Sequence, residues 1–294
     1  MTVAPTDLTV LAARSVRKRG VRDTIRRHPT IVIGAGLLGL MALMAIFAPY
    51  LGTVDPQALS PIRRLRWPSA QYWFGTDMLG RDIYSRTVYG ARISLTVGLS
   101  VALLSTALGL LIGLVTGFSR WTDAIVMRIM DGLMSIPAIL IAIALMALTR
   151  ASLENVIFAI TVAEVPRVTR LVRGVVLTLR ELPFVEAAHA SGTGFVRILW
   201  RHILPNTLPP LLVQGTFVAA SAMIVEAILS FLGAGTPPNI PSWGNIMAEG
   251  RSLFQVAYYI VLIPGAFLSI TVLAINLLGD GLRDALDPRL ARRM

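Results

Sequence analysis

Five stretches of this chain are too apolar and too long to remain in water. They run from Thr30 to Leu51, Ile93 to Phe118, Ala124 to Leu148, Pro209 to Leu232 and Val256 to Leu278. About 20 such residues, wound as a helix, cross the ~30 Å hydrocarbon core of a bilayer. No water is available there, so each crossing must close its own backbone hydrogen bonds. The expected fold is therefore an all-α integral membrane protein. Composition agrees: 55% of residues are hydrophobic and 15% charged, with a mean hydropathy of +0.70. That is too apolar for a soluble domain of this length.

Charge sets the expected orientation. Residues 1–29 carry Arg14, Arg17, Lys18, Arg19, Arg22, Arg26 and Arg27, directly before the first apolar run at 30–51. A cleaved signal peptide is the competing reading. Its apolar region is normally shorter, and no small-x-small cleavage site precedes Pro49. A retained first span with a cytoplasmic tail follows from the positive-inside rule. The formal net charge of +11 does not point to nucleic acid, because the arginines flank apolar runs.

Within the spans, Gly109, Gly113 and Gly117 recur every four residues and make a flat packing stripe on the second span. In the third, Arg128 and Asp131 are three apart, as for an ion pair on one helix face, and Pro137 implies a kink. A sixth segment is poor. Its apolar residues run only from Val156 to Val165, with Glu164 among them, and Arg167, Arg170 and Arg173 follow. A helix facing lipid would not carry these charges, so this one is expected inside the bundle.

Between the sixth segment and the run at 209–232 lies a different pattern. Pro183 suits a first helical position. Glu186 then falls in the first turn, where the positive helix end favours a carboxylate. Gly192 is a natural stop. Thr193 is a candidate cap for a second short helix bearing Phe195, Ile198 and Leu199, and Pro205 is expected to end it. Ala187, Ala188 and Ala190 leave the first helix smooth. The order Glu186-Ala187-Ala188, three residues, Gly192, then Leu204-Pro205 resembles the EAA loop of ATP-binding-cassette importer permeases. His202 departs from it, at a position usually apolar. The resemblance implies that Glu186, Ala187, Ala188, His189, Gly192, Leu204 and Pro205, within residues 181–205, form a coupling element that docks on a cytoplasmic ATPase. An even number of crossings must then separate this loop from the cytoplasmic tail. The poor segment becomes the fourth of six spans.

The segment 52–91 reads as an extramembrane excursion. It holds Gly75, Asp77, Gly80, Arg81, Asp82, Ser85, Arg86, Gly90 and Ala91, with Arg92 following. Surface ion pairing of these charges is the local expectation. The run also resembles a signature of dipeptide/oligopeptide permeases, especially the C-type subunit. So do Ser230-Phe231 with Gly233, Trp243-Gly244, and the C-terminal run holding Asp280, Arg283, Asp287 and Pro288. The resemblance implies a type I importer permease, with a core at 92–281 and a cytoplasmic tail at 282–294. It also implies a homologous second permease, two ATPase subunits carrying ATP and Mg, an extracytoplasmic binding protein, and a bacterial inner membrane with both termini cytoplasmic. The implied cargo is dipeptides or oligopeptides; nickel-chelate and glutathione importers are close relatives.

The absences bound the rest. No Gly-x-x-x-x-Gly-Lys-Ser/Thr loop is present, so this chain is not expected to bind ATP. There is no cysteine, and His28, His189 and His202 are far apart. No metal cluster, cofactor or catalytic residue is expected. A secondary transporter, from another class, would show inverted repeats and interrupted helices around midplane ionisable groups. No clear repeat is visible, and such a protein has no use for a coupling loop.

Overall fold

The fold is that of a computed structural model describing residues 29–286. Asp287, Pro288 and nearly all of the expected N-terminal tail lie outside the described residues. Among the described residues ten α-helices follow in order: α1 (Pro29–Ile46), α2 (Ile83–Phe118), α3 (Arg120–Met134), α4 (Ala138–Ala147) and α5 (Leu153–Arg180), then α6 (Pro183–Ala190), α7 (Phe195–Ile198), α8 (Leu204–Phe231), α9 (Trp243–Gly250) and α10 (Tyr259–Leu286). Among the described residues there is no strand, only an isolated bridge between Thr76 and Asp82.

α1, α2, α10 and the continuous run Phe195–Phe231 are each long and apolar enough to cross a membrane. α3 and α4 qualify only as a pair, bent by 87°. Proline at 137 was expected to kink one helix. Instead the chain leaves helical geometry entirely between Met134 and Ala138. α5 is about 42 Å long at 1.5 Å per residue, yet Glu154, Glu164, Arg167, Arg170, Arg173 and Arg180 make it too charged to qualify on composition. Length and composition therefore identify four spans, or five with the bent pair.

The poorest of the expected spans is packed within the bundle. α5 packs against α2, α4 and α8, and Val156, Ile160, Val168, Val172 and Val176 are buried. Its seam with α2 is a ladder of matched period. A Cβ added to Gly109 would meet Val168 at 2.6 Å, one on Gly113 would meet Val172 at 2.6 Å, and one on Gly117 would meet Val176 at 2.5 Å. Three glycines and three valines, each four residues apart, bring the two backbones together.

Several local expectations need correction. The helix that carries the second apolar run begins at Ile83, ten residues before that run. Asp82 caps it by accepting from Ser85 N at 2.8 Å, and Ser85 and Arg86 are buried with partners. Residues 83–91 are therefore helix. Arg128 and Asp131 do not pair. Asp131 takes Arg170 of α5, and Asp123 takes Arg173, its Oδ2 receiving Nη2 at 2.7 Å. Thr193 caps nothing: Gly194 is the N-cap of α7 and has no side-chain bond. Pro205 does not end a helix. A π turn at Leu199–Ile203 leads directly into α8, where Pro205 occupies a first-turn position that needs no N–H. The loop after α8 contains an unexpected helix, α9, capped by Ser242 accepting from Asn245 N at 3.1 Å.

Candidate functional site

Two groups of the residues singled out in the sequence come together, at opposite ends of the bundle. The first is the surface made by α6, α7 and the π turn. Val185, Ile198 and Ile203 point into the core. Glu186, Ala187, His189, Ala190, Ser191 and Gly192 are exposed, as are Phe195, Val196 and Trp200. Pro183 stands at the helix start and Glu186 in its first turn. Gly192 has φ +75°, a left-handed conformation that costs other residues roughly 1–2 kcal/mol. Its amide donates to His189 O at 2.9 Å, and Thr193 N donates to Ala188 O at 3.0 Å. These bonds close the helix end. His202 lies against Phe184, with ring centroids 5.9 Å apart. In place of the usual apolar residue, its ring packs on an aromatic one. Leu204 is half-buried and packs against the main core. The surface is held from beneath by apolar anchors and presents small, aromatic and charged groups outward, with Arg197 and Arg201 exposed as well as Glu186.

The second group is a buried ionic hub. Arg86 is 1% exposed and Asp77 2%. Arg86 Nη1 lies 2.6 Å from both Asp77 Oδ2 and Glu249 Oε2, and its Nη2 lies 3.0 Å from Glu249 Oε1. Arg81 Nε reaches Asp77 Oδ2 at 2.7 Å, and its Nη2 also meets Glu249. Two arginines and two carboxylates thus balance. These are not surface ion pairs. Gly75 and Gly80 turn the loop that delivers Asp77 at φ +78° and +75°. Arg92 caps α1 by donating to Ala45 O and to Ile46 O. Trp243 is fully buried and donates Nε1 to Thr87 O at 2.9 Å, with Gly90 beneath its ring. Gly244 packs on Ala227 and Ser230. The hub ties the segment before α2, α2 itself and α9 into one unit. Ala91 is buried beside it, whereas Phe231 and Gly233 are exposed at the end of α8, and Asp280 and Arg283 on α10 belong to neither group.

Sequence reasoning missed Glu249. Its signal was arithmetic: Asp82 is consumed as a cap, leaving Arg81 and Arg86 one carboxylate short. It also missed Ser221, whose Oγ donates to Glu164 Oε1 at 3.1 Å, while Arg167 Nη1 lies 3.1 Å from Oε2. Glu226 is wholly buried in α8 and accepts from Ser230 Oγ at 2.9 Å.

Comparison with known proteins places this architecture. A family model described as "binding-protein-dependent transport system inner membrane component" matches residues 105–292, and one described as "N-terminal TM domain of oligopeptide transport permease C" matches residues 19–68. A probable peptide ABC transporter permease of Sinorhizobium fredii is 54% identical over 268 residues, covering 91% of this chain and 92% of the relative. A dipeptide transport system permease of Alkalihalophilus pseudofirmus is 42% identical, covering 90% and 88%. A glutathione transport system permease of Pectobacterium atrosepticum is 40% identical, covering 96% and 95%. Among solved structures, the MetNI methionine ABC transporter in inward-facing conformations gives a TM-score of 0.55 at 23% identity, over 69% of this chain and 96% of that one. That likeness speaks to the fold alone, the all-α type I importer permease. Matched over more than half its length by the family model and over nearly all of it by permeases, the chain is a multi-pass membrane protein that belongs to the binding-protein-dependent transport system inner membrane components, as a C-type ABC transporter permease.

Proposed function

We propose that this permease forms half of the translocation path of an ATP-driven importer of dipeptides or oligopeptides. Its complement would be a homologous second permease, two ATPase subunits that bind ATP and Mg, and an extracytoplasmic binding protein. The observation that carries this reading is 54% identity, over nearly the whole chain, to a probable peptide ABC transporter permease. Glutathione, itself a peptide, is the second reading, because a glutathione permease is 40% identical over 96% of the chain. In this reading α5 supplies the sixth crossing. Both termini and the α6–α7 surface face the cytoplasm, in a bacterial inner membrane. ATPase closure then moves the bundle between outward and inward openings.

ATP-dependent uptake of labelled dipeptides, oligopeptides and glutathione by proteoliposomes holding the complete complex tests the cargo. Failure to import any of them overturns the peptide reading. Orientation is tested in intact cells with an impermeant maleimide. A cysteine placed at Ala190 should stay unlabelled until the cells are permeabilised, and one at Ala70 should label at once. The reverse pattern inverts the topology.

Two substitutions address the coupling surface. A side chain added at Gly192 meets nothing within 4 Å, but the positive φ strains it. Gly192→Leu should therefore assemble at near-normal levels yet lose most substrate-stimulated ATPase activity. Unchanged stimulation at equal assembly would exclude a docking role for this turn. Glu186 is exposed in the first turn of α6, where the helix end stabilises an anion by roughly 0.3–1 kcal/mol. That is too little to decide folding. A charge-assisted bond to a partner would add about 1.5–3 kcal/mol. Glu186→Gln should keep much of the ATPase on co-purification, and Glu186→Lys should lose at least tenfold more at low salt, a difference that narrows as salt screens the repulsion. Equal retention by the two variants contradicts an electrostatic role.

A further inference from the structure

Arg167 is the charged residue nearest the middle of α5. It is the fifteenth residue of α5 and lies about 21 Å from either end of that helix at 1.5 Å per residue. Its side chain is 53% exposed, while that of its partner Glu164 is 2% exposed. Ser221 of α8 holds the other oxygen of Glu164. With α5 as a membrane crossing, a guanidinium at its middle must face protein or water rather than lipid.

Two further observations favour water. Arg170, on the same helix, meets Asp131 of α3, and both are exposed. Four residues beyond Asp131 begins the break between α3 and α4, where Ser135, Ile136 and Pro137 are exposed. Non-helical backbone at membrane depth is tolerated only where it is enclosed by protein or lines a water-filled cavity. A cavity of about 450 Å³ lies between α5, α8 and α10. Leu171, four residues after Arg167, and Phe217, four before Ser221, line it together with Arg283.

We infer that Arg167, braced by Glu164 and Ser221, is an anion-recognising station on the translocation path, which draws the carboxylate end of the cargo toward Arg283. This rests on the reading that the chain forms half of such a path. Glu164 fixes the guanidinium by one ion pair and leaves its remaining donors free for a second carboxylate.

The test uses the complete complex and this cysteine-free chain. A single cysteine at Ala163, one turn from Arg167, is reacted with small anionic and cationic methanethiosulfonates of similar size. Arg167→Gln should lower the ratio of anionic to cationic labelling rates by roughly tenfold, and Arg167→Lys should preserve it. An unreactive cysteine, or an unchanged ratio, overturns the inference. A brace needed only for charge balance would be rescued by removing both charges. The Glu164→Gln, Arg167→Gln double variant should instead remain slow in uptake of a labelled dipeptide. Wild-type rates in that variant would also overturn the inference. The labelling ratio is read without any cargo, so a wrong assignment of cargo leaves it decisive.

Discussion

Arg86→Ala is expected to be the most damaging single substitution in the ionic hub. Its side chain is 1% exposed and touches both Asp77 and Glu249, which would be left to share Arg81. Removing one partner of a buried ionic group costs about 3–5 kcal/mol, because the remaining charge stays desolvated. That corresponds to a fall in melting temperature on the order of 10 °C for a chain of this size. Arg86→Lys should lie between the two, since a point charge cannot reproduce the fork that spans two carboxylates. The check is thermal unfolding of the purified permease, with the Asp77→Asn, Arg86→Gln pair as a second variant. That pair removes one charge of each sign and should recover part of the loss. A melting temperature for Arg86→Ala within 2 °C or so of wild type would show that water reaches the hub.

A comparable loss is expected at the α2–α5 seam. Gly113→Leu would put four heavy atoms where even the first lies 2.6 Å from the Cβ of Val172. One extra methyl group in a close-packed site already costs about 1–3 kcal/mol. The leucine should therefore separate the helices and sharply reduce folded protein in the membrane. Gly113→Ala is the milder probe, and combining it with Val172→Ala should restore folding by returning the volume from the other side. If Gly113→Ala is neutral by itself, or the double variant is worse than either single one, the ladder is not what holds these helices together.

The glycine repeat, the apolar runs and the Glu-Ala-Ala pattern were all legible in the sequence, because each is periodic or local. A helix repeats every 3.6 residues whatever surrounds it, and so the stripe at Gly109, Gly113 and Gly117 could be read from α2 alone. The turn at Gly192 was equally plain, since only its own backbone torsion demands glycine. Pairings across the fold were not. Asp131 chose Arg170, 39 residues away, over Arg128 on its own helix. Arg86 found Glu249 at a separation of 163 residues. Such partners depend on which helices pack together, and no local periodicity encodes that. Helix ends misled for the same reason. Pro205 and Ile83 sit where a single segment should stop or has not yet begun, and packing carries the helix through both. The sequence by itself determined that this chain lives in a membrane, the family it resembles and the turn at Gly192. Only the tertiary structure decided which charges are buried together, because desolvation is a property of neighbours.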